Sequence, residues 1–182
     1  MNNNEQVVIP LSKRKIILVL IGAAVLVAVG VWLVSLEPAE IRSYQGSRSP
    51  QVVYGVAYVC IGFFGLGGVY GILKLFDSKP GLIVDADGIW DNASAAAAGR
   101  IHWGEITGFD QFQMKRTRIL IVRVRNPGKY VRRGNVLKRA LNRMNMNMAG
   151  SPIAISAASL EMEYDELVEL CTSRFDQYRQ SA

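Results

Sequence analysis

IILVLIGAAVLVAVGVWLVSL, from Ile16 to Leu36, carries no charged residue, and everything else in the chain is read around it. As an α-helix rising ~1.5 Å per residue it would extend about 30 Å, the thickness of a bilayer's hydrocarbon core. No water reaches the backbone at that depth, so a helix, which satisfies its own amides and carbonyls, is expected even from a β-branched stretch. A second uncharged stretch, VVYGVAYVCIGFFGLGGVYGIL from Val52 to Leu73, repeats the signal. Its glycines would weaken a helix in water, but in lipid small residues let helices approach closely. Gly67 with Gly71 has the GxxxG spacing, and Ala24 with Ala28 offers a similar notch on the first stretch. Two uses of these faces stand open: packing within a two-helix hairpin, or a dimerisation face.

Lys13, Arg14 and Lys15 precede the first stretch, as basic residues precede a secretory signal. The stretch outruns the ~7–15 apolar residues of a signal h-region and no A-x-A-like cleavage site follows, so a retained span is expected. The chain then divides into a tail (1–15), a first span (16–36), a connecting loop (37–51), a second span (52–75) and a domain (77–182). Lys13, Arg14 and Lys15 before the first span and Lys74 and Lys79 after the second oppose Arg42 and Arg48 in the loop. The excess of cations on one side predicts a multi-pass protein of the cell (inner) membrane, with both termini cytoplasmic and the loop outside.

A chain of 182 residues has no room for a large multidomain enzyme, and its formal charge of +6 suits a polyanionic partner. Nucleic acid and an anionic membrane both qualify; the spans tip the choice to membrane lipids, and no nucleic-acid motif opposes it. Cys60 and Cys171 form neither a close pair nor a secreted-type framework, so free thiols are expected.

Beyond Asp77 short apolar runs alternate with turn residues. GLIVDADGIWDN reads as strand, turn and strand, RIHWGEITGFDQFQM continues the alternation, and RILIVRVR from Arg118 to Arg125 is the clearest strand. Ile119 and Ile121 share one of its faces, Leu120, Val122 and Val124 the other. Pro152 to Ser156 adds a short strand. The period then changes, placing Tyr164, Leu167, Val168, Cys171, Phe175 and Tyr178 on one side of a helix over about 163–179.

The segments GLIVDADGIWDN, RIHWGEITGF and SPIAISAASLEMEYDELVEL, with PLSKRK before the first span, resemble an uncharacterised bacterial family of small two-span membrane proteins. The resemblance implies a cytoplasmic pleckstrin-homology-like domain, a strongly bent sheet forming a half-open barrel whose open edge is plugged by the terminal helix. It brings no substrate or reaction. Trp103-Gly104-Glu105-Ile106 is similar to a recurrent segment of such domains, although His102 just before it stands where a proline is common in the family and Gly104 replaces a carboxylate.

Three features invite chemistry. Asp85, Asp87 and Asp91 suggest calcium, but Gly88 comes fourth in DADG where an EF-hand loop needs glycine sixth, so an acidic turn is expected. His102 is the only histidine and has no nearby nucleophile or second ligand, so neither a metal nor a catalytic group is assigned. The glycines between Gly62 and Gly71 lack the lysine and hydroxyl of a phosphate loop. No cofactor is called for.

One feature stands above that background. From Gln111 through Leu160 there is no acidic residue, while Lys115, Arg116, Arg118, Arg123, Arg125, Lys129, Arg132, Arg133, Lys138, Arg139 and Arg143 all fall there. Within it Leu137, Leu141, Met144 and Met148 recur at helical spacing, predicting a basic amphipathic helix over about 131–148, inside an insertion at 128–150. Three readings stay open: an apolar stripe packed on the domain, contact with the anionic inner leaflet through Arg132, Arg133, Lys138, Arg139 and Arg143, or a partner protein or nucleic acid.

The expectation is therefore an α+β membrane protein, a transmembrane hairpin followed by a pleckstrin-homology-like barrel or sandwich with a C-terminal capping helix. Its expected role is a non-enzymatic, membrane-tethered binding or scaffolding module; the alternative is an accessory subunit of a larger membrane complex. Homo-oligomers fit either role.

Overall fold

The computed structural model describes residues 6–45, 49–114 and 117–181, so Arg48, Lys115 and Arg116 lie outside the described residues, as does the side chain of Arg42. The chain forms two compact units, one of residues 13–78 and one joining the residues up to Ser12 with those from Lys79 onward.

The first unit contains α1 (Lys13–Ser35), α2 (Pro38–Gln45) and α3 (Pro50–Leu75). Pro50 opens α3, where its missing amide hydrogen is no loss. Both long helices have the length and composition to cross a membrane, and 11% of each one's most apolar window is buried within the protein. A core helix of a soluble protein would be mostly covered; here Leu18, Val19, Val59, Phe63 and Leu66 are all exposed, a surface suited to hydrocarbon rather than water. The stretch read as a plain loop contains α2, whose Ile41 is buried. The Tyr54 hydroxyl donates to the carbonyl of Leu36 at 2.6 Å, meeting an acceptor just past the end of α1.

The second unit is α+β. One antiparallel sheet has the order β1 (Val7–Ile9), β2 (Leu82–Val84), β3 (Gly88–Asp91), β4 (Gly99–His102); the other has β5 (Ile106–Met114), β6 (Thr117–Val124), β7 (Ile153–Ile155). The two sheets do not close into a barrel. Between β6 and β7 lie the helices α4 (Pro127–Val131) and α5 (Val136–Ala149), and α6 (Tyr164–Ser181) ends the domain. Leu82, Val84, Ile89, Ile101, Leu120, Val122, Ile153, Ile155, Leu160 and Leu167 are wholly enclosed. Ile121 is buried too, so both faces of β6 are covered at its middle, where alternation alone expects one.

Tyr164, Leu167, Cys171 and Phe175 form the buried stripe of α6, and Phe175 meets Trp103 at 6.1 Å and Phe109, edge to face, at 5.6 Å between ring centroids. Asp165 and Glu166 occupy its first turn and Arg179 its last, the arrangement its dipole favours. Both cysteines are free, and burial pushes the Cys171 thiol up to about 12, which keeps it protonated and unreactive.

The tail expected before the first span holds a strand. β1 pairs antiparallel with β2 in the register Val7↔Val84, Val8↔Ile83, Ile9↔Leu82. Ser12 donates to the Ser159 carbonyl at 2.8 Å and Glu161 to that of Pro10 at 3.0 Å, while Leu11 bridges Leu160. Chain on both sides of the two long helices thus belongs to one sheet. If those helices cross a bilayer, they cross in opposite directions, and the domain is attached at both ends of the hairpin.

Candidate interaction surface on the basic helix

The site begins at α4, which Tyr130 pins into the core. That side chain is buried, and its hydroxyl donates to Glu105 Oε2 at 2.5 Å, while the Lys129 ammonium bonds the other carboxylate oxygen. Lys129 first, and then Tyr130, hold the Glu105 carboxyl below its ordinary range; burial and the carboxylate push the Tyr130 phenol up, so it stays a donor. A depressed carboxyl contributes stability above its unfolded value, and that contribution disappears as pH falls through the folded value. We expect α4 to loosen only on acidification below the ordinary glutamate range. Tyr130→Phe should cost about 1 kcal/mol and make the acid-dependent part of the loss smaller, as read from Tm against pH on the solubilised protein.

The single basic helix expected over 131–148 is broken after Val131. Gly134 has φ +91°, a left-handed conformation in which an added Cβ would also lie 2.6 Å from Lys138 Cδ. Asn135 then caps the new helix, its side chain accepting from the Lys138 amide at 2.9 Å. α5 ends at Gly150, with φ +70°.

The orientation of α5 is the reverse of the usual one. Its buried residue is Asn142, which donates to the Tyr130 carbonyl at 3.0 Å; Asn145 donates to that of Pro152 at 3.4 Å. The apolar side chains point out: Val136 is 75% exposed, Leu137 63%, Met144 50% and Met148 52%. Leu141 is half-buried. An amphipathic helix ordinarily turns its apolar stripe to the core, so the reading in which this stripe packs on the domain fails.

The five cations assigned to this surface separate into two groups. Arg132, Arg139 and Arg143 are exposed, and no ion pair holds them among the described residues. Arg133 donates to the Arg100 carbonyl at 3.2 Å, and Lys138 lies half-buried against Gly134, its ammonium pKa lowered first by desolvation and then by Arg133. Elsewhere in the acid-free interval Arg118 pairs with Asp165, Arg123 with Asp110 and Lys129 with Glu105. Part of the cationic run is therefore countered from outside it, a pairing invisible to a linear count.

The other candidates are absorbed by structure. Asp85 accepts from the amides of Asp87 and Gly88 and pairs with Arg100 at 2.7 Å, and Asp91 accepts from Ala93 and Ala98 at 2.9 and 2.7 Å. His102 is exposed on β4, and no group of His, Cys, Asp and Glu suited to a metal occurs among the described residues. Trp103 is buried, its indole donating to the Asp85 carbonyl at 3.0 Å.

Of the small residues on the long helices, Gly71 faces Leu20, where an added Cβ would lie 2.8 Å from Cδ2, whereas one at Gly67 would meet nothing within 4 Å. Ala24 and Ala28 line an apolar groove of about 630 Å³ with Phe64, Gly65 and Gly68. The tighter helix approach is at Gly30, where a Cβ would sit 2.8 Å from Ile61 Cγ1 and 3.3 Å from the Ala57 carbonyl oxygen. A lone glycine without a partner at i+4 gives no spacing to notice, and Gly30 was missed for that reason.

Compared with known proteins, the chain matches no family model, no curated protein and no solved structure.

Proposed function

We propose that this chain is a membrane-anchored binding or scaffolding module without catalytic chemistry, whose domain recruits a protein or inner-leaflet lipid through the outward face of α5. The observation that carries it is the inverted helix: Leu137, Met144 and Met148 stand in solvent while Asn142 is buried, and Arg139 and Arg143 are exposed on the same helix. Exposed apolar side chains gathered on one helix face mark contact surfaces rather than solvated ones. Two antiparallel sheets around a common core, with α6 against Trp103 and Phe109, support the pleckstrin-homology-like reading. The cations flanking the long helices support cytoplasmic termini at an inner membrane.

A second reading, an accessory subunit of a larger membrane complex, draws on the open groove along Ala24 and Ala28. Mild-detergent purification followed by mass spectrometry separates the two. A stoichiometric membrane partner that survives Leu137→Glu with Met144→Glu favours the accessory subunit. Partners lost with those substitutions favour recruitment through α5. A protease added outside intact cells should leave the domain whole, and digestion there would reject the cytoplasmic assignment.

A further inference from the structure

We infer that the occupant of the α5 face is an anionic lipid surface, with Leu137, Met144 and Met148 sinking among the headgroups and Arg132, Arg139 and Arg143 pairing with lipid phosphates. The inference rests on the membrane-anchored reading and names the partner of that same surface.

Three independent features of α5 converge on lipid. The apolar face is shallow, three flexible side chains and Leu141 along one side of a helix about 20 Å long at ~1.5 Å per residue, suited to lying in an interface rather than filling a deep protein groove. Methionine adapts to an irregular, mobile environment such as headgroups and upper acyl chains. Arg139 and Arg143, one turn apart, are exposed on the same helix, at the border of its solvent-facing half opposite to that stripe.

Charge complements this shape. No carboxylate is present in α4, in the break at Arg132 to Asn135, in α5 or in the segment leading to β7. Carboxylates whose partners belong to the interval are already neutralised: Glu105 by Lys129, Asp110 by Arg123 and Asp165 by Arg118. Nothing on the helix repels a phosphate. Attachment of the domain at both Ser12 and Lys79 removes most of the cost of bringing it to the bilayer, because docking is then an intramolecular step at high effective concentration.

The test uses the full chain reconstituted in vesicles, with an environment-sensitive fluorophore on Met144→Cys and Cys60→Ala removing the accessible thiol; Cys171 is buried and stays unlabelled. Vesicles of phosphatidylcholine, with or without phosphatidylglycerol, carry spin-labelled acyl chains as quenchers. In the phosphatidylglycerol vesicles at low salt the probe should emit to the blue and be quenched by shallow labels. High salt should reverse this. Arg132→Glu with Arg139→Glu and Arg143→Glu should lower the docked-to-free ratio by on the order of a hundredfold or more. Unquenched emission in anionic vesicles, or equal quenching in phosphatidylcholine alone, overturns the inference. So does a blue shift that appears only on adding soluble cell extract, which would assign the face to a protein. A chain washed off the vesicles by carbonate would instead reject the anchored reading itself.

Discussion

Replacing residues 13–78 with a short glycine-serine linker should give a soluble domain that melts cooperatively, whereas residues 79–182 alone should not fold. The difference lies in β1. Ile9 is 2% exposed and Leu11 6%, and both pack into the unit formed with β2 and Leu160. Truncating one such side chain typically costs ~2–5 kcal/mol, and each lost backbone hydrogen bond about 0.5–1.5 kcal/mol more. A fragment starting at Lys79 loses Ile9, Leu11, the β1–β2 ladder and the bonds from Gly81, Ser12 and Glu161 together. Against a total stability of about 5–15 kcal/mol, that loss leaves no folded state to observe. The linker succeeds because the ends it joins are already neighbours: Gly81 donates to the Ile9 carbonyl at 2.9 Å, so the two strands need only a hairpin turn. Far-UV circular dichroism melts of the two proteins decide the matter. Equal, cooperative melting of the 79–182 fragment would mean that β1 is not an integral strand. In the full chain, Ile9→Ala should lower the domain's Tm while leaving the helical hairpin in place.

The spans and the terminal helix could be read from the chain because each carries its signal locally. An uncharged stretch as long as a bilayer is thick needs no partner to be recognised, and the stripe of Tyr164, Leu167, Cys171 and Phe175 repeats within one helix. β1 could not be read. Val7-Val8-Ile9 is too short to show a period, and its partner Leu82 to Val84 lies beyond both long helices. The apolar positions of α5 were visible, but not their direction. A helical period shows that Leu137, Leu141, Met144 and Met148 share a side; which side meets the core depends on what the core offers. Here Asn142 donates to the buried carbonyl of Tyr130, which holds that side of α5 inward and leaves the stripe outward. The break at Gly134 was hidden similarly, since one glycine among helix formers reads as tolerated until its positive φ is seen.

Gly88→Ala should be the most damaging single methyl in the domain. Gly88 has φ +154°, and a Cβ there would lie 2.0 Å from the carbonyl oxygen of Ile101 and 2.9 Å from the Cα of His102. Both obstacles are backbone, so no rotamer change makes room. The chain must either open the β3–β4 pairing at Gly88↔His102 or move the turn, and Asp87 to Gly88 is where the Asp85 carboxylate holds two amides and Arg100. Backbone strain of ~1–3 kcal/mol adds to the lost ladder bonds, so a total of about 3–5 kcal/mol is expected in chemical denaturation of the hairpin-free domain. Gly67→Ala in the full chain is the contrast, for the added methyl meets open space and sits in a helix that alanine favours, and no loss of thermal stability should follow. The pair also tests the acidic turn as architecture. If DADG serves the fold, added calcium should not restore Gly88→Ala, because the strain lies in the backbone and not in unneutralised carboxylates.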